Sequence, residues 1–169
     1  FWHGTTLYDE QIHVPLLVFL PEAVRKDLDR ASRERKAGPP LTQGAIEDQV
    51  ELIDLYPTLL ELLGVDLEGP VNGRSLVSLL AGQGSLAARE AFAEHTNVKE
   101  HEQKALRTPR FKFIVSIPRK SSSATGESYE IYDLKRDPPE PNNLAKGIPD
   151  RVSELRKRIG EIMAGRELA

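Results

Sequence analysis

Histidine is the residue type in this chain that could most readily take part in chemistry near neutral pH, and four are present. Its imidazole titrates near pH 6.5, so it can donate a hydrogen bond to an anion or take up positive charge beside one. His3 stands between Trp2 and Gly4. Taken alone, an isolated histidine is more often a polar loop residue than an anion contact, so the role of His3 depends on its surroundings.

The other histidines lie in less specific surroundings. His13 comes one residue before an apolar run, where a structural hydrogen bond is the expected role. His95 and His101, with the neighbouring Glu94 and Glu102, are residue types that can bind zinc, but no ordered element fixes their spacing. We therefore predict no metal site within this chain.

Charged residues offer further candidates. Asp9 and Glu10 are adjacent, and neighbours in sequence seldom point at one substrate atom as acid–base catalysis requires, so we expect a helix-start or salt-bridge role. Arg107 and Arg110 flank a predicted hairpin turn and could bind an anion there, although arginines at exposed turns are common. The run Arg25–Lys36 predicts a solvated face.

Length and composition limit the possible functions. The chain has 169 residues and a net charge of -3, enough for a domain with a core, and its pI of about 5.9 gives no basis for nucleic-acid or anionic-membrane partners. No apolar run approaches the ~20 residues of a membrane helix. Cysteine is absent, which excludes disulfides, thiolate metal ligands and a cysteine nucleophile within these residues. The sequence opens without a start methionine or a signal-peptide pattern, so we expect part of a longer protein, in a compartment that the composition does not identify.

An apolar run and a charged run follow the opening segment. Val14–Leu20 is continuously apolar, which is typical of a strand buried on both faces, and Pro15 is tolerated near the start of a strand. Glu22–Lys36 is rich in charge and carries apolar residues at helical spacing, which predicts a solvated helix. Gly38–Pro40 then breaks that helix.

The segment Asp54–Gly64 is the clearest helix in the sequence. Asp54 is expected to accept a hydrogen bond from the first turn, and Gly64 is expected to end the helix in the left-handed conformation. The segment is apolar almost all round, which predicts a buried helix. A connector follows, with one short helix predicted at Ser75–Leu80.

The second half predicts a small antiparallel sheet closed by a helix. Apolar and polar residues alternate in its short strand-like segments, as in a sheet with one solvated face, and Thr108–Arg110 predicts a tight turn between two of them. A final helix is predicted from about Pro149, with an apolar face that covers the sheet. The predicted strands are Ala91–Glu94, Lys104–Arg107, Phe111–Val115 and Tyr129–Asp133, and the apolar face of the helix consists of Val152, Leu155, Ile159, Ile162 and Met163.

Five sequence blocks, in this order along nearly the whole chain, resemble the carboxy-terminal part of a sulfatase, a member of the alkaline-phosphatase-like hydrolases. Each block alone is a weak signal, whereas five in the correct order are specific. The blocks are Trp2–Gly4 with Leu7–Glu10 and Val14–Leu16, then Asp54–Leu60, Gly73–Leu76, Arg107–Lys112 and Tyr132–Ala145.

The resemblance implies an α/β fold in two parts. Residues 1–82 are expected to form the end of an alkaline-phosphatase-like sheet domain. Residues 83–169 are expected to form a small α+β module, an antiparallel sheet with a C-terminal helix.

The resemblance also implies hydrolysis of a sulfate ester, on a small molecule or a sulfated carbohydrate. In that family a formylglycine made within a C/S-x-P-x-R motif is the nucleophile, and Asp and Asn hold a divalent metal, expected here to be calcium. The metal and cationic groups stabilise charge on the sulfuryl and leaving oxygens, and a covalent intermediate divides the reaction into two steps. Neither the motif nor the Asp–Asn pair occurs at the matching places in this sequence, so we expect them upstream and expect this chain alone to lack turnover.

Two histidines are the site residues that the resemblance implies. His3 stands where the family often has a lysine that points at the sulfate, which makes it a catalytic candidate as an anion contact. His95 follows a strand that in the family directs a loop at the substrate pocket, which makes it a candidate for binding the organic part of the ester.

Two alternative functions remain open. Histidine in place of lysine is compatible with a phosphate or phosphonate ester, so a phosphodiesterase or phosphonate monoester hydrolase of the same superfamily is the first. The second is a non-catalytic carbohydrate- or protein-binding module that has kept the fold. The identity of the nucleophile would separate the first from a sulfatase, and loss of the metal ligands would identify the second.

Overall fold

The computed structural model describes residues 6–34, 44–83, 85–96, 101–119 and 126–166. The chain divides into two compact units, which we call the sheet unit (Phe1–Pro15 with Arg89–Ala169) and the helical unit (Leu16–Ala88). The predicted division into domains at residue 82 stays a prediction. In chain order, the elements are α1 (Asp9–Ile12), α2 (Glu22–Glu34), α3 (Leu55–Leu62), α4 (Val77–Leu80), β1 (Ala91–Thr96), β2 (His101–Arg107), β3 (Phe111–Pro118), β4 (Ser128–Asp133) and α5 (Pro149–Arg166), with 3₁₀ turns at Leu52–Asp54 and Ala145–Gly147.

Strands β1 to β4 form one antiparallel sheet in the order of the sequence. They coincide with the four segments predicted as strands after residue 90. The predicted turn at Thr108–Arg110 joins β2 to β3, and the Thr108 N–H donates to the carbonyl oxygen of Phe111 at 2.8 Å. The sheet and α5 confirm the predicted antiparallel module with its C-terminal helix.

The face of the sheet that packs against α5 carries the larger apolar core of this unit. Because successive residues of a strand point to opposite faces, every second residue of β2 and β3 is directed at the helix. Leu155 and Ile159 of α5 are buried there, as the helical spacing predicted. The sheet contributes Leu106, Phe113, Val115 and Ile131, with Phe92, Ile117 and Tyr129 at the margin.

The opposite face of the sheet is covered by the segment that contains α1. Leu7 is only 3% exposed and packs against Ala105 and Ile114 at the centre of this face. Tyr8 and Ile12 pack at the edge of the same cluster. Residues near the start of the sequence are therefore part of the core of a sheet whose first strand begins more than 80 residues further along the chain.

In the helical unit, Asp54 organises the start of α3 in an unpredicted way. The residue is fully buried, and its side chain does not cap α3 as predicted. One carboxylate oxygen accepts the N–H of Glu51 and the other accepts the N–H of Arg74, each at 2.9 Å. The reason is the 3₁₀ turn at Leu52–Asp54, which gives Asp54 a helical backbone. From there its carboxylate reaches back to Glu51 and not forward to the first turn of α3. Gly64 ends α3 at φ +67°, as predicted.

The prediction that Val14–Leu20 is a buried strand is wrong for this structure. The segment has no regular secondary structure, and Leu17 and Phe19 are 90% and 92% exposed. A strand needs a neighbour for its N–H and C=O groups, and the sheet formed by the described residues consists of β1 to β4 alone. The run is apolar enough for a buried strand, but the described part of the chain places no strand beside it.

The prediction that α3 is buried all round is also only partly right. Pro57 and Thr58 are buried, whereas Tyr56 and Leu59 are each 57% exposed and Leu63, just after the helix, is 73% exposed. One side of this helix thus lacks a packing partner among the residues that the structure describes. Over the same residues, no helix is both long and apolar enough to span a membrane.

Candidate functional site

The two histidines predicted as site residues differ in what the structure says of them. His3 lies outside the described residues. His95 lies within β1, rather than after the strand as predicted, and pairs with Gln103 of β2. It shares a face with Ala93, which packs on the side of the sheet opposite α5. His95 is partly exposed.

Beside His95, polar side chains continue across the sheet. Gln103 is 7% exposed, and its side-chain N–H donates to Ser116 Oγ of β3 at 3.0 Å. The amide oxygen of Gln103 is buried and has no hydrogen-bond partner in the described part of the chain. We call His95, Gln103 and Ser116 the polar row. Its members pair in register, His95 with Gln103 and Gln103 with Ser116, so they lie side by side on one face.

The other end of the same face holds a group of buried charges. Lys112 of β3 is 0% exposed, and its Nζ lies 2.8 Å from Asp9 Oδ1 and 2.7 Å from Glu140 Oε1. Arg107 of β2 forms a two-pronged ion pair with Asp9, with Nε–Oδ1 at 3.0 Å and Nη2–Oδ2 at 2.7 Å. The backbone N–H of Asp9 donates to Glu140 Oε2 at 2.7 Å. We call Asp9, Arg107, Lys112 and Glu140 the charge cluster.

The charge cluster is electrically balanced, with two carboxylates and two cations. Burial by itself would raise the pKa of Asp9, but hydrogen bonds from Arg107 and Lys112 outweigh burial and hold this pKa at about 2. Asp9 therefore stays ionised at every physiological pH. The cluster has a structural role within the chain. Its cationic groups, which could have bound an anion, are paired with the carboxylates of Asp9 and Glu140.

This arrangement accounts for several of the charged candidates. Asp9 and Glu10 lie at the start of α1, and Asp9 is in a salt bridge, as predicted for the pair. Arg107 is bound to Asp9, and Arg110 Nη2 lies 3.0 Å from Asp133 Oδ2. Both arginines therefore have structural partners at the β2–β3 turn.

Two tyrosines form a second polar group next to the charge cluster. The hydroxyls of Tyr8 and Tyr132 both donate to Glu130 Oε2, the first at 2.8 Å. Burial and these hydrogen bonds to Glu130 raise the pKa of each phenol above its ordinary value of 10. Both hydroxyls thus remain donors, and Tyr8 joins the α1 segment to β4.

The remaining histidines and glutamates do not form a metal site within the described part of the chain. The imidazole Nδ1 of His13 is 3.6 Å from Asp9 Oδ2, which is too long for the structural hydrogen bond predicted there. Glu94 and Glu102 lie beside Lys104, which forms ion pairs with both. His101 begins β2 rather than lying in a solvated loop.

A metal of the kind the sulfatase resemblance implies does not fit the described residues. No group of three His, Cys, Asp or Glu side chains converges there on one point. The nearest buried carboxylates, Asp9 and Glu140, are neutralised by Arg107 and Lys112, so neither is available to a cation.

Several of these residues were absent from the sequence-based candidates. Lys112 and Glu140 are separated by 28 residues and Asp9 and Lys112 by 103, and nothing in the local pattern links them. One signal was available for Gln103 and Ser116. Alternation along β2 and β3 places both residues on the face opposite α5. Apolar residues are expected at the centre of a covered sheet, so two polar residues there are a signal of a special role.

The sequence profile of the family described as "N-sulphoglucosamine sulphohydrolase, C-terminal" matches residues 39–165. The chain is 26% identical to arylsulfatase K of Xenopus laevis over 167 residues, which is 96% of this chain and 28% of that protein. It is 31% identical to N-acetylglucosamine-6-O-sulfatase of Bacteroides thetaiotaomicron over 148 residues, which is 82% of this chain and 22% of that protein.

A solved structure shows the same fold. It is described as a complex with its substrate D-glucosamine-2-N,6-O-disulfate, and it superimposes on 66% of this chain with a TM-score of 0.52 and 25% identity. The match covers 23% of that chain. The present chain thus spans about a quarter of the length of each relative.

Proposed function

Because the chain belongs to the N-sulphoglucosamine sulphohydrolase C-terminal family and is the carboxy-terminal region of a sulfatase, we propose that the protein containing it hydrolyses the sulfate ester of a carbohydrate. The observation that carries this proposal is the alignment of 96% of the chain with an arylsulfatase. The relatives extend well beyond the aligned region, so we propose this activity for the whole protein and not for this chain alone.

The chain is proposed to contact the substrate and its developing charge, and not to supply the nucleophile or the metal ligands. Cysteine is absent, no serine stands in an S-x-P-x-R motif, and no carboxylates converge on a metal site among the described residues. The nucleophile and a divalent metal, which we propose is calcium, belong to the rest of the protein. When bound, that metal would polarise the sulfuryl oxygens.

His3 is proposed to contact the sulfate. Charge grows on the oxygens of the transferred group in the transition state, and a donor placed 2.7–3.1 Å from that charge lowers the barrier. Imidazole can supply such a hydrogen bond, and a neighbouring anion favours its protonated form. The sequence context of His3, between Trp2 and Gly4 in the block that resembles a sulfatase segment, supports this role.

The polar row is proposed to bind the sugar. His95 is partly exposed beside Gln103, whose buried amide oxygen has no partner in the described chain. The imidazole of His95, which is partly exposed, can donate or accept a hydrogen bond beside this polar row. Sugars carry donors as hydroxyl and amide groups. This observation favours a sulfated carbohydrate over a simple aryl sulfate.

The exposed apolar residues of the helical unit are proposed as the surface that packs against the rest of the sulfatase. Leu17 and Phe19, with Tyr56 and Leu59 of α3, are each more than half exposed. Contiguous apolar patches are uncommon on soluble monomers unless another surface covers them. The larger part of the relatives, which lies outside the aligned region, is proposed to supply such a surface.

The anion contact is tested in the full-length protein by comparing His3→Ala with His3→Lys. Losing one donor of this kind typically lowers turnover by about 10²–10³, so His3→Ala should lower kcat for a sulfated glucosamine by that factor. His3→Lys should retain more activity than His3→Ala. His13→Ala is the matched control, because this imidazole is largely exposed. Near-normal turnover of His3→Ala would refute the anion contact.

The sugar contact is tested with two substrates. His95→Ala should lower kcat/KM for glucosamine 6-sulfate by about tenfold, the cost of one ordinary hydrogen bond. The same variant should leave 4-nitrophenyl sulfate hydrolysis within about twofold, since that substrate has no sugar hydroxyls. Equal losses on both substrates would show that His95 does not bind the organic part. Hydrolysis of a phosphate or phosphonate ester in preference to both would replace the proposed substrate class.

A further inference from the structure

We propose that Asn72 is a site of spontaneous deamidation, and that the isoaspartate formed there loosens the start of α3 in the helical unit. Asn72 is followed directly by Gly73, whereas none of the other asparagines, Asn97, Asn142 and Asn143, precedes a glycine. The site concerns the chemistry of this chain itself and does not depend on the proposed function.

The reaction joins the backbone nitrogen of Gly73 to the side-chain carbonyl carbon of Asn72. As this C–N bond forms, the nitrogen gives up its proton to water or hydroxide, and Nδ2 of Asn72 leaves as ammonia. The product is a five-membered succinimide. Water then breaks one of its two C–N bonds: cleavage at Cγ gives aspartate, and cleavage at the former main-chain carbonyl gives isoaspartate. Water is the co-reactant, and nothing is oxidised or reduced.

The surroundings of Asn72 leave both reacting groups accessible. Asn72 is exposed and lies at a bend between α3 and α4. Within the described residues its side-chain amide forms no hydrogen bond, so the amide can rotate toward the main chain. The N–H of Gly73 likewise has no acceptor in that part of the chain. Gly73 also carries no Cβ that would hinder attack by its nitrogen.

Two other asparagines are exposed as well, but their amide groups are held by hydrogen bonds. The side-chain N–H of Asn142 donates to Asp137 Oδ1 at 3.2 Å. Asn143 Oδ1 accepts the N–H of Ile131 at 3.1 Å. The nitrogen that would have to attack Asn143 belongs to Leu144, and its N–H donates to the carbonyl oxygen of Ile131 at 2.9 Å. Asn142 and Asn143 are therefore slow internal references.

Isoaspartate at position 72 lengthens the main chain by one carbon, directly before a close contact between two backbone segments. A Cβ on Gly73 would lie 2.0 Å from the carbonyl oxygen of Ile53, so this contact has no room for a methyl group. A longer chain before Gly73 therefore cannot be accommodated without a shift of this contact.

The residues that follow this contact are fixed to the start of α3 by two backbone hydrogen bonds. The N–H of Arg74 donates to Asp54 Oδ1 and the N–H of Leu76 donates to Thr58 Oγ1, each at 2.9 Å. Asp54 is 0% exposed and Thr58 is 5% exposed. Loss of a partner by a buried polar group is unfavourable, so a shift at position 72 should weaken the start of α3.

The modification is tested by incubating the full-length protein at mildly alkaline pH and following it by mass spectrometry. Electron-transfer fragmentation distinguishes isoaspartate from aspartate. Asn72 should react at least about tenfold faster than Asn142 and Asn143, which corresponds to a barrier lower by about 1.36 kcal/mol. Asn72→Gln is the matched control, because it keeps the amide but would have to form a six-membered ring. A rate at Asn72 no higher than at Asn142 and Asn143 would overturn the inference.

Amide hydrogen exchange tests the structural consequence. In the modified fraction of the incubated wild type, the N–H groups of Arg74 and Leu76 should exchange at least about tenfold faster. Both should stay protected in incubated Asn72→Gln and in Asn72→Asp, which carries the same new charge on a main chain of normal length. Unchanged protection in the modified fraction would refute the loosening of α3. An equal loss of protection in Asn72→Asp would assign the effect to charge and refute the role of isoaspartate.

Discussion

Asp9→Asn should make the folded protein less stable at neutral pH and remove the part of its acid sensitivity that Asp9 contributes. The asparagine keeps the size and one acceptor oxygen but loses the charge that Arg107 and Lys112 bind. In the folded state the pKa of Asp9 is about 2, against an ordinary value of 3.8. At ~1.36 kcal/mol per pKa unit, the charged form is favoured by folding by about 2.5 kcal/mol. Asp9 lies at the margin of the core and is partly screened by solvent, so this figure is an upper bound.

The sign of the pH dependence follows from the direction of the shift. A carboxylate whose pKa is lowered by folding contributes its stabilisation above the unfolded pKa and loses it as the pH falls through the folded pKa. The contribution of Asp9 should therefore be complete above about pH 5 and disappear between about pH 4 and pH 2. The free energies of unfolding of the wild type and Asp9→Asn should differ by up to about 2.5 kcal/mol at pH 7 and converge near pH 2.

Urea unfolding at a series of pH values measures this difference, since urea does not screen charges as guanidinium does. Glu154→Gln is the matched control, because Glu154 is 65% exposed in its pair with Arg151 and should contribute less than about 1 kcal/mol at either pH. A difference between the wild type and Asp9→Asn that is the same at about pH 7 and about pH 2.5 would show that shape, rather than charge, accounts for the effect. No difference at neutral pH would refute the assigned ion pairs.

Gly73→Ala should lower the free energy of unfolding by about 1–3 kcal/mol, because a Cβ there would lie 2.0 Å from the carbonyl oxygen of Ile53. Gly160→Ala in α5, where the new Cβ meets no atom within 4 Å, should raise it by up to about 1 kcal/mol, and thermal unfolding of both variants checks the contrast. Leu17→Glu with Phe19→Glu should reduce self-association of the chain produced alone, since both side chains are almost fully exposed. Light scattering measures that association, and a wild-type chain that stays monomeric would contradict the reasoning.

Elements that depend on local pattern were predictable from the sequence. Strands β1 to β4, α2 and α5 were predicted close to their observed positions, because alternation and helical spacing are expressed over neighbouring residues. Gly64 was predicted from the rule that a left-handed residue often ends a helix. Asp54 was misassigned because a 3₁₀ turn precedes α3, and no simple pattern distinguishes that turn from a helix cap.

Features that depend on distant partners were not predictable. Apolar content alone marked Val14–Leu20 as a buried strand, but pairing needs a neighbouring strand, which the described residues do not provide. The charge cluster joins Asp9 to residues 98, 103 and 131 positions away, and each member taken singly resembles an ordinary surface charge. For the proposed site, His95 was a candidate from the sequence, whereas Gln103 and Ser116 were not, because their relation to His95 depends on strand register.

The long separation between Asp9 and Glu140 has a consequence for the order of folding. Strands β1 to β4 are connected consecutively, so their contacts are short-range and form quickly. During synthesis at about 5–20 residues per second, Glu140 follows Asp9 by roughly 7 to 26 s. Until β1 to β4 have been made, the α1 segment has no sheet to cover. Docking of this segment should therefore wait until the sheet has formed, and its absence should leave a folded sheet with one bare face.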